Sequence, residues 1–361
     1  MPLNRQNRDR CLIHDGVSKA GSTQDCAWSV MTRCLVFCLL LMAVAATDVH
    51  GSQTALPRVA TNWMIAGLAL DGSDTPQASP ADGAADETKP CAGVSFSRSL
   101  RYGEGEQNVL DVATGDSTTT SPRPVLLFVA GESFTGDGAA PDAGAQAQDA
   151  AICFAARNGM VGVRMAWRLA PAYQWPAGAR DVAAATSWVH ENIDLFGGNA
   201  SEIVVVGYSV GAFHVASLLA HREFWQRDSD IAGAVLVSGI YHPSADAGAT
   251  EQSYFGSDAS KYEERSAFPG ILKIETPLLL AWSALDPPRL VAEGEKLRER
   301  LCHSPAQCPH TTVLKNRDGL ASFFAPDASL AAPTLELIRE IEARVMRCAV
   351  ACCKQSRIGC W

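Results

Sequence analysis

A chain of 361 residues with 47% hydrophobic and 19% charged residues is long enough for one large or two modest cores, and its composition is ordinary for a globular protein. The net charge of −9 is spread along the chain with no run of five basic residues, which argues against nucleic acid or an anionic membrane surface as partner.

In chain order, residues 1–30 are mostly polar and read as an upstream extension, with Met31 as the natural initiator. The run 31–46, MTRCLVFCLLLMAVAA, has the three parts of a secretory signal. Arg33 supplies the positive charge, Leu35 to Ala43 the apolar stretch, and Ala43-Val44-Ala45 or Val44-Ala45-Ala46 the small-residue cleavage site. The run is short for a membrane span. The mature chain is therefore expected to carry no span and to be secreted or periplasmic; an uncleaved signal serving as an anchor is the alternative. Residues 47–90 form a linker, and its second half, DGSDTPQASPADGAADETKP, lacks large apolar side chains and reads as disordered.

From Cys91 the pattern becomes regular, and one domain is expected over 91–347. Val94–Phe96 and Val109–Val112 read as an antiparallel edge hairpin. Apolar runs follow at Val125–Val129, Met160–Met165, Ile203–Val206, Ala232–Val237, Pro277–Ala281 and Thr311–Leu314. Helical stretches lie between them at Asp149–Ala156, Asp181–Val189, Leu290–Leu301 and Thr334–Val345. Continuous apolar strands alternating with helices predict an α/β fold: a mostly parallel central sheet, helices on both faces, and an antiparallel N-terminal edge. Of twelve cysteines, Cys11, Cys26, Cys34 and Cys38 precede the cleavage point, leaving eight for an oxidising compartment. Cys302 and Cys308 flank the short CHSPAQC loop and are expected to bridge. The tail, 348–361, holds Cys348, Cys352, Cys353 and Cys360 with neither C-x-x-C spacing nor a nearby histidine, which argues against a metal site.

The sharpest signal is Gly207-Tyr208-Ser209-Val210-Gly211, a G-x-S-x-G pentapeptide fed by the Ile203–Val206 strand and followed by an apolar helix. In that setting a tight strand-to-helix turn pushes Ser209 into the open as a nucleophile. The flanking glycines are needed because a Cβ would collide with the turn. The Val210 N–H, at the helix start, is positioned for a developing oxyanion.

With this motif the chain resembles the α/β-hydrolase superfamily, in particular the hormone-sensitive-lipase and feruloyl-esterase-like carboxylesterases, and is similar to arylformamidases. Three stretches add to the likeness: WRLAPAYQWPAGARDVAAATSWVHENIDLFGGNASEIVVVG (167–207), PVLLFVAGESF (124–134) and TPLLLAWSALDPPRL (276–290). The resemblance implies the α/β-hydrolase fold, Ser209 as nucleophile and Asp286 as the acid that orients the base. It also implies a small-molecule ester as substrate and no cofactor.

Two departures stand against that implication. Where the family has a His-Gly-Gly oxyanion loop, this chain has Ala130-Gly131-Glu132-Ser133. Backbone amides of Gly131 and Glu132 can still donate, but a carboxylate near a developing negative charge is unfavourable unless it points away. Where the family places the triad histidine, after the last strand, LKNRDGLASFF offers Gly319. Removing that imidazole from a serine protease costs about a million-fold in turnover. His14 and His50 precede the domain, and His303 and His310 begin the last strand, about 17 Å from the catalytic edge. His221 lies roughly 18 Å down the helix from Ser209, His190 sits on a polar helical stretch, and His214 points off the Ser209 face. His242, closing GAVLVSGIYH, falls on the same sheet edge as Ser209 and is the candidate substitute base; its other reading is a solvated loop histidine. The expectations are thus a serine ester hydrolase with an atypical triad, a catalytically impaired pseudo-enzyme or binding protein, or an amidase or arylformamidase with the same machinery.

Overall fold

Every apolar run that the sequence marks between turn residues becomes a strand, because a run buried on both faces needs no polar alternation. The computed structural model describes residues 91–116, 120–131, 133–135, 141–226, 231–244, 246, 248–302, 308–315 and 330–355. The extension, signal and linker expected over 1–90 lie outside them. The strands are β1 (Val94–Arg101), β2 (Val109–Gly115), β3 (Arg123–Val129), β4 (Val161–Met165), β5 (Gly198–Tyr208), β6 (Gly233–Val237), β7 (Leu278–Ser283) and β8 (His310–Leu314). They form one sheet in the order β1-β2-β4-β3-β5-β6-β7-β8. β1 and β2 pair antiparallel, as does β2 with β4; every pair from β4 to β8 is parallel.

The longer helices are α1 (Pro141–Arg157), α2 (Ala177–Asn192), α3 (Val210–Ala220), α4 (Ala249–Phe255), α5 (Pro288–Leu301) and α6 (Ala331–Gln355). Side chains along β3 alternate between two cores, the period of two that a strand imposes. Val125, Leu127 and Val129 face a core covered by α2, α3 and α5, while Leu126 and Phe128 face one covered by α1 and α6. Helix α1 sits so close to β4 that a Cβ on Gly162 would lie 2.3 Å from the Ile152 carbonyl oxygen. The sequence did not call for α4, seven residues between β6 and β7. Helix α6 runs to Gln355, past the boundary at 348 where the sequence suggests a separate tail.

Among the described residues two disulfides are present. Cys302–Cys308 is the bridge expected from the short loop. Cys91–Cys153 joins the residue run before β1 to α1 across 62 positions, a pairing that spacing alone could not select among eight cysteines. Among the described residues no helix is long and apolar enough to cross a membrane.

The chain leaves β3 toward β4 on one side and returns to β5 on the other. Strand order therefore reverses at the carboxyl ends of β3 and β5, where open α/β sheets place their ligands.

Candidate active site

Ser209 sits between β5 and α3 with φ 53° and ψ −117°, a backbone that a non-glycine residue rarely adopts. The neighbouring glycines show why the turn closes only with this sequence. A Cβ on Gly207 would lie 2.6 Å from Ala212 Cα, and one on Gly211 would lie 2.0 Å from the Val129 carbonyl oxygen. The turn is pinned at both ends: Ser209 N–H donates to Val237 O at 2.8 Å, and Ala212 N–H donates to Ser209 O at 3.0 Å. Among the described residues no side chain accepts from the Ser209 hydroxyl, which is half-buried.

Asp286 follows β7, at the same edge of the sheet. One oxygen, Oδ2, accepts from the Ser238 hydroxyl at 2.6 Å and from the Ser283 N–H at 2.8 Å. Oδ1 has no partner among the described residues. Ser238, the first residue after β6, is buried and has φ 51°, so another serine at positive φ stands one strand over from Ser209. The sequence reading missed it. A serine just past an apolar strand is a faint signal, and its partner lies 48 positions away.

The loop after β3 is held by Trp167, whose indole N–H donates to Ala130 O at 2.8 Å. Phe134 of the same loop is fully buried and stacks on Tyr254 of α4, ring centroids 4.6 Å apart. Val210 corrects the expectation in part. Its N–H donates to the Gly131 carbonyl at 3.0 Å, so the amide at the helix start is occupied by the loop that was to share the oxyanion with it. The Gly131 N–H has no partner among the described residues. Glu132 and Gly319 lie outside the described residues.

His242 is also corrected. Strand β6 ends at Val237, and His242 lies five residues beyond it. Its Nε2 is 2.8 Å from Glu263 Oε2, and its N–H, like that of Tyr241, donates to Glu293 Oε2. The structure thus spends this imidazole on a surface carboxylate and does not bring it to Ser209. His214, five residues after Ser209, is fully buried between Trp167, Phe134 and Tyr254. Gly178 packs on its ring so closely that a Cβ there would lie 2.3 Å from Cε1. Burial without a counter-charge pushes its pKa down to about 3, which keeps it neutral. Its Nδ1 lies 3.4 Å from the Tyr254 hydroxyl.

The Arg-Leu-Ala-Pro segment is structural. Arg168 makes a bidentate pair with the buried Asp181 at the start of α2, which ties the loop after β4 to the helix that covers the sheet.

These elements agree with what the chain is similar to. A family model described as alpha/beta hydrolase fold matches residues 138–277. Esterase LipQ of Mycobacterium tuberculosis is 29% identical over 210 residues, which cover 55% of this chain and 48% of LipQ. Esterase LipC of the same organism is 33% identical over 121 residues, which cover 34% of this chain and 28% of LipC. The matches therefore span less than half the length of either relative. Among solved structures, esterase B from Lactobacillus rhamnosis aligns with a TM-score of 0.58 at 14% identity, covering 74% of this chain and 92% of that one.

Proposed function

We propose that this chain, which carries the α/β-hydrolase fold and matches a family model of that description over residues 138–277, hydrolyses carboxylic esters with Ser209 as nucleophile and Asp286 as the acid. The observation that carries this reading is the elbow itself. A serine held at φ 53° between two glycines that admit no Cβ is strain that a binding protein has no use for. The reaction is acyl transfer: Ser209 Oγ attacks the ester carbonyl, its proton passes to a base, the alcohol leaves, and water releases the acid. The Gly131 N–H and the Glu132 and Val210 amides are the oxyanion donors of this proposal, and Val210 becomes available once the Gly131 carbonyl turns away from it. Asp286 Oδ1 is the oxygen on which a base would lean. The sequence position for that base is Gly319, and His242 can serve only after leaving Glu263. The two disulfides and the apolar run at 31–46 support a secreted or periplasmic location.

A second reading, a catalytically impaired relative that retains the fold for binding, is favoured by two observations: Val210 N–H is occupied by Gly131 O, and His242 is paired with Glu263. An amidase or arylformamidase would use the same groups and differs in leaving group alone. Turnover of p-nitrophenyl butyrate by residues 47–361 separates the first two. Catalysis more than about a hundred-fold above Ser209→Ala supports the hydrolase, since removing the nucleophile leaves only binding and oxyanion effects. Wild type equal to Ser209→Ala, with activity gained in Gly319→His, supports the impaired relative.

A further inference from the structure

The triplet Asn199-Ala200-Ser201 is the one Asn-x-Ser/Thr sequence with x other than proline in all 361 residues. It lies at the amino end of β5, ten residues before Ser209; the regular part of the strand, Ile203 to Ser209, alone spans about 20 Å at about 3.3 Å per residue, so the triplet sits at the opposite end of the strand from the nucleophile. Its backbone is not part of a regular ladder. Along the β3–β5 pair, Arg123 faces Gly198 and Val125 faces Ile203, so residues 199–202 bulge out against the single residue Pro124. The turn before it is closed by Gly197 at φ 73°.

Within the bulge, Asn199 Oδ1 accepts from the Ser201 N–H at 3.0 Å, an Asx turn that brings the carboxamide and the Ser201 side chain to one side. Ser201 is exposed and Asn199 is half-buried. Glu202, three residues on, is buried and interacts with the Asn199 carboxamide. A shallow cleft of about 300 Å³, lined by residues that include Thr120, Ser121, Asp194 and Gly197, opens beside the bulge. Leu195, 79% exposed, stands next to it as apolar surface for a sugar face to cover.

We infer that Asn199 is an N-glycosylation site: the bulged Asn199-Ala200-Ser201 turn, which follows a cleft lined up to Gly198 at the far end of the sheet, receives an oligosaccharide on Nδ2. The donor class is a polyprenyl-pyrophosphate-linked oligosaccharide. Nδ2 forms the bond to the sugar C1, the C1–oxygen bond to the pyrophosphate breaks, the lipid pyrophosphate leaves with the electron pair, and one Nδ2 proton goes to a base of the transferase. The glycosylated carboxamide keeps one N–H and keeps Oδ1 for Ser201. The site rests on the secretory location given above and is independent of the ester-hydrolase reading.

The test is expression of the full chain in insect cells, with peptide mapping of the product and ester turnover read on the same preparation. The expected result is a glycopeptide at Asn199 and a slower-migrating band that peptide-N-glycosidase collapses. Asn199→Gln and Ser201→Ala abolish both, Ser201→Thr retains them, and ester turnover stays within two-fold in all three, on the order of the small effects expected of distant surface changes. A product with the Cys91–Cys153 bridge formed but Asn199 unmodified overturns the inference, because that chain passed through the oxidising lumen and was not modified. A product lacking both bridge and glycan overturns the secretory location and this inference with it.

Discussion

The elbow can be weighed by adding a single methyl group at three glycines. In Gly211→Ala the new Cβ would sit 2.0 Å from the Val129 oxygen and 2.7 Å from its carbonyl carbon, both backbone atoms. Relieving the contact needs a shift of about 1 Å, and Val129 is locked by parallel pairing to Met165 on one side and Gly207 on the other. Overpacking in a close-packed core costs typically 1–3 kcal/mol, and a contact against a central strand belongs at the top of that range, about 3 kcal/mol. With a urea slope of about 1–3 kcal/mol per M, the unfolding midpoint falls by roughly 1–3 M. Gly159, at φ 77° with no atom in the way, isolates the backbone penalty alone, and its alanine variant loses about 1 kcal/mol. Gly248, open and at φ −66°, loses about 0.5 kcal/mol or less. The assay is urea unfolding followed by circular dichroism, beside p-nitrophenyl butyrate turnover. A Gly211→Ala midpoint within about 0.3 M of wild type, no lower than that of Gly248→Ala, refutes the claim that sterics set this turn.

Ser238→Ala removes a charge-assisted hydrogen bond to Asp286, worth about 1.5–3 kcal/mol, and kcat for ester turnover is expected to fall about ten- to a hundred-fold with KM unchanged. Ser238→Thr, which keeps the hydroxyl, should recover most of it. Cys153→Ala opens a crosslink spanning 62 positions and Cys308→Ala one spanning 6, so loop entropy predicts losses of about 4 and about 2 kcal/mol respectively in thermal or urea unfolding. His214 has a folded pKa pushed down to about 3 against about 6.5 unfolded, so between those values the unfolded chain binds the extra proton. Stability is therefore full above pH 6.5 and falls by about 1.4 kcal/mol per pH unit as pH drops below it; His214→Met should flatten that limb in urea midpoints measured from pH 7 to 4.5.

Much of the fold was legible because it is written in contiguous residues. A strand such as Val125–Val129 is an unbroken apolar run, and the elbow needs only five neighbours in sequence. What escaped depends on residues far apart in the chain. Ser238 meets Asp286, Cys91 meets Cys153 and Phe134 meets Tyr254 only after the sheet has formed, and no periodicity encodes those meetings. For His242 the loop reading fits the structure: β6 stops at Val237, and the residues that follow carry the imidazole over to Glu263. The partner of the Val210 amide escaped for the opposite reason. Its position at the start of α3 is legible, but its acceptor, the Gly131 carbonyl, belongs to the loop after β3.

The distribution of intact and altered parts has a direction. The serine retains a backbone that costs about 1–2 kcal/mol against an ordinary conformation, and the acid retains two donors on one oxygen while its second oxygen has no partner among the described residues. Both are arrangements that a base between them would complete. The departures from the family pattern, Glu132 and Gly319, fall in the stretches that follow β3 and β8 in the sequence, outside the strands themselves. Loops of this kind change residues at little expense to stability, whereas the elbow glycines cannot change without displacing β3. The scaffold that fixes Ser209 and Asp286 is therefore retained for packing reasons whether or not turnover persists. The packed core alone would preserve Gly207 and Gly211, but it has no need of the Ser209 hydroxyl itself. That hydroxyl, unpaired among the described residues and held at the sheet's switch point, is the group that the proposed ester hydrolysis would use.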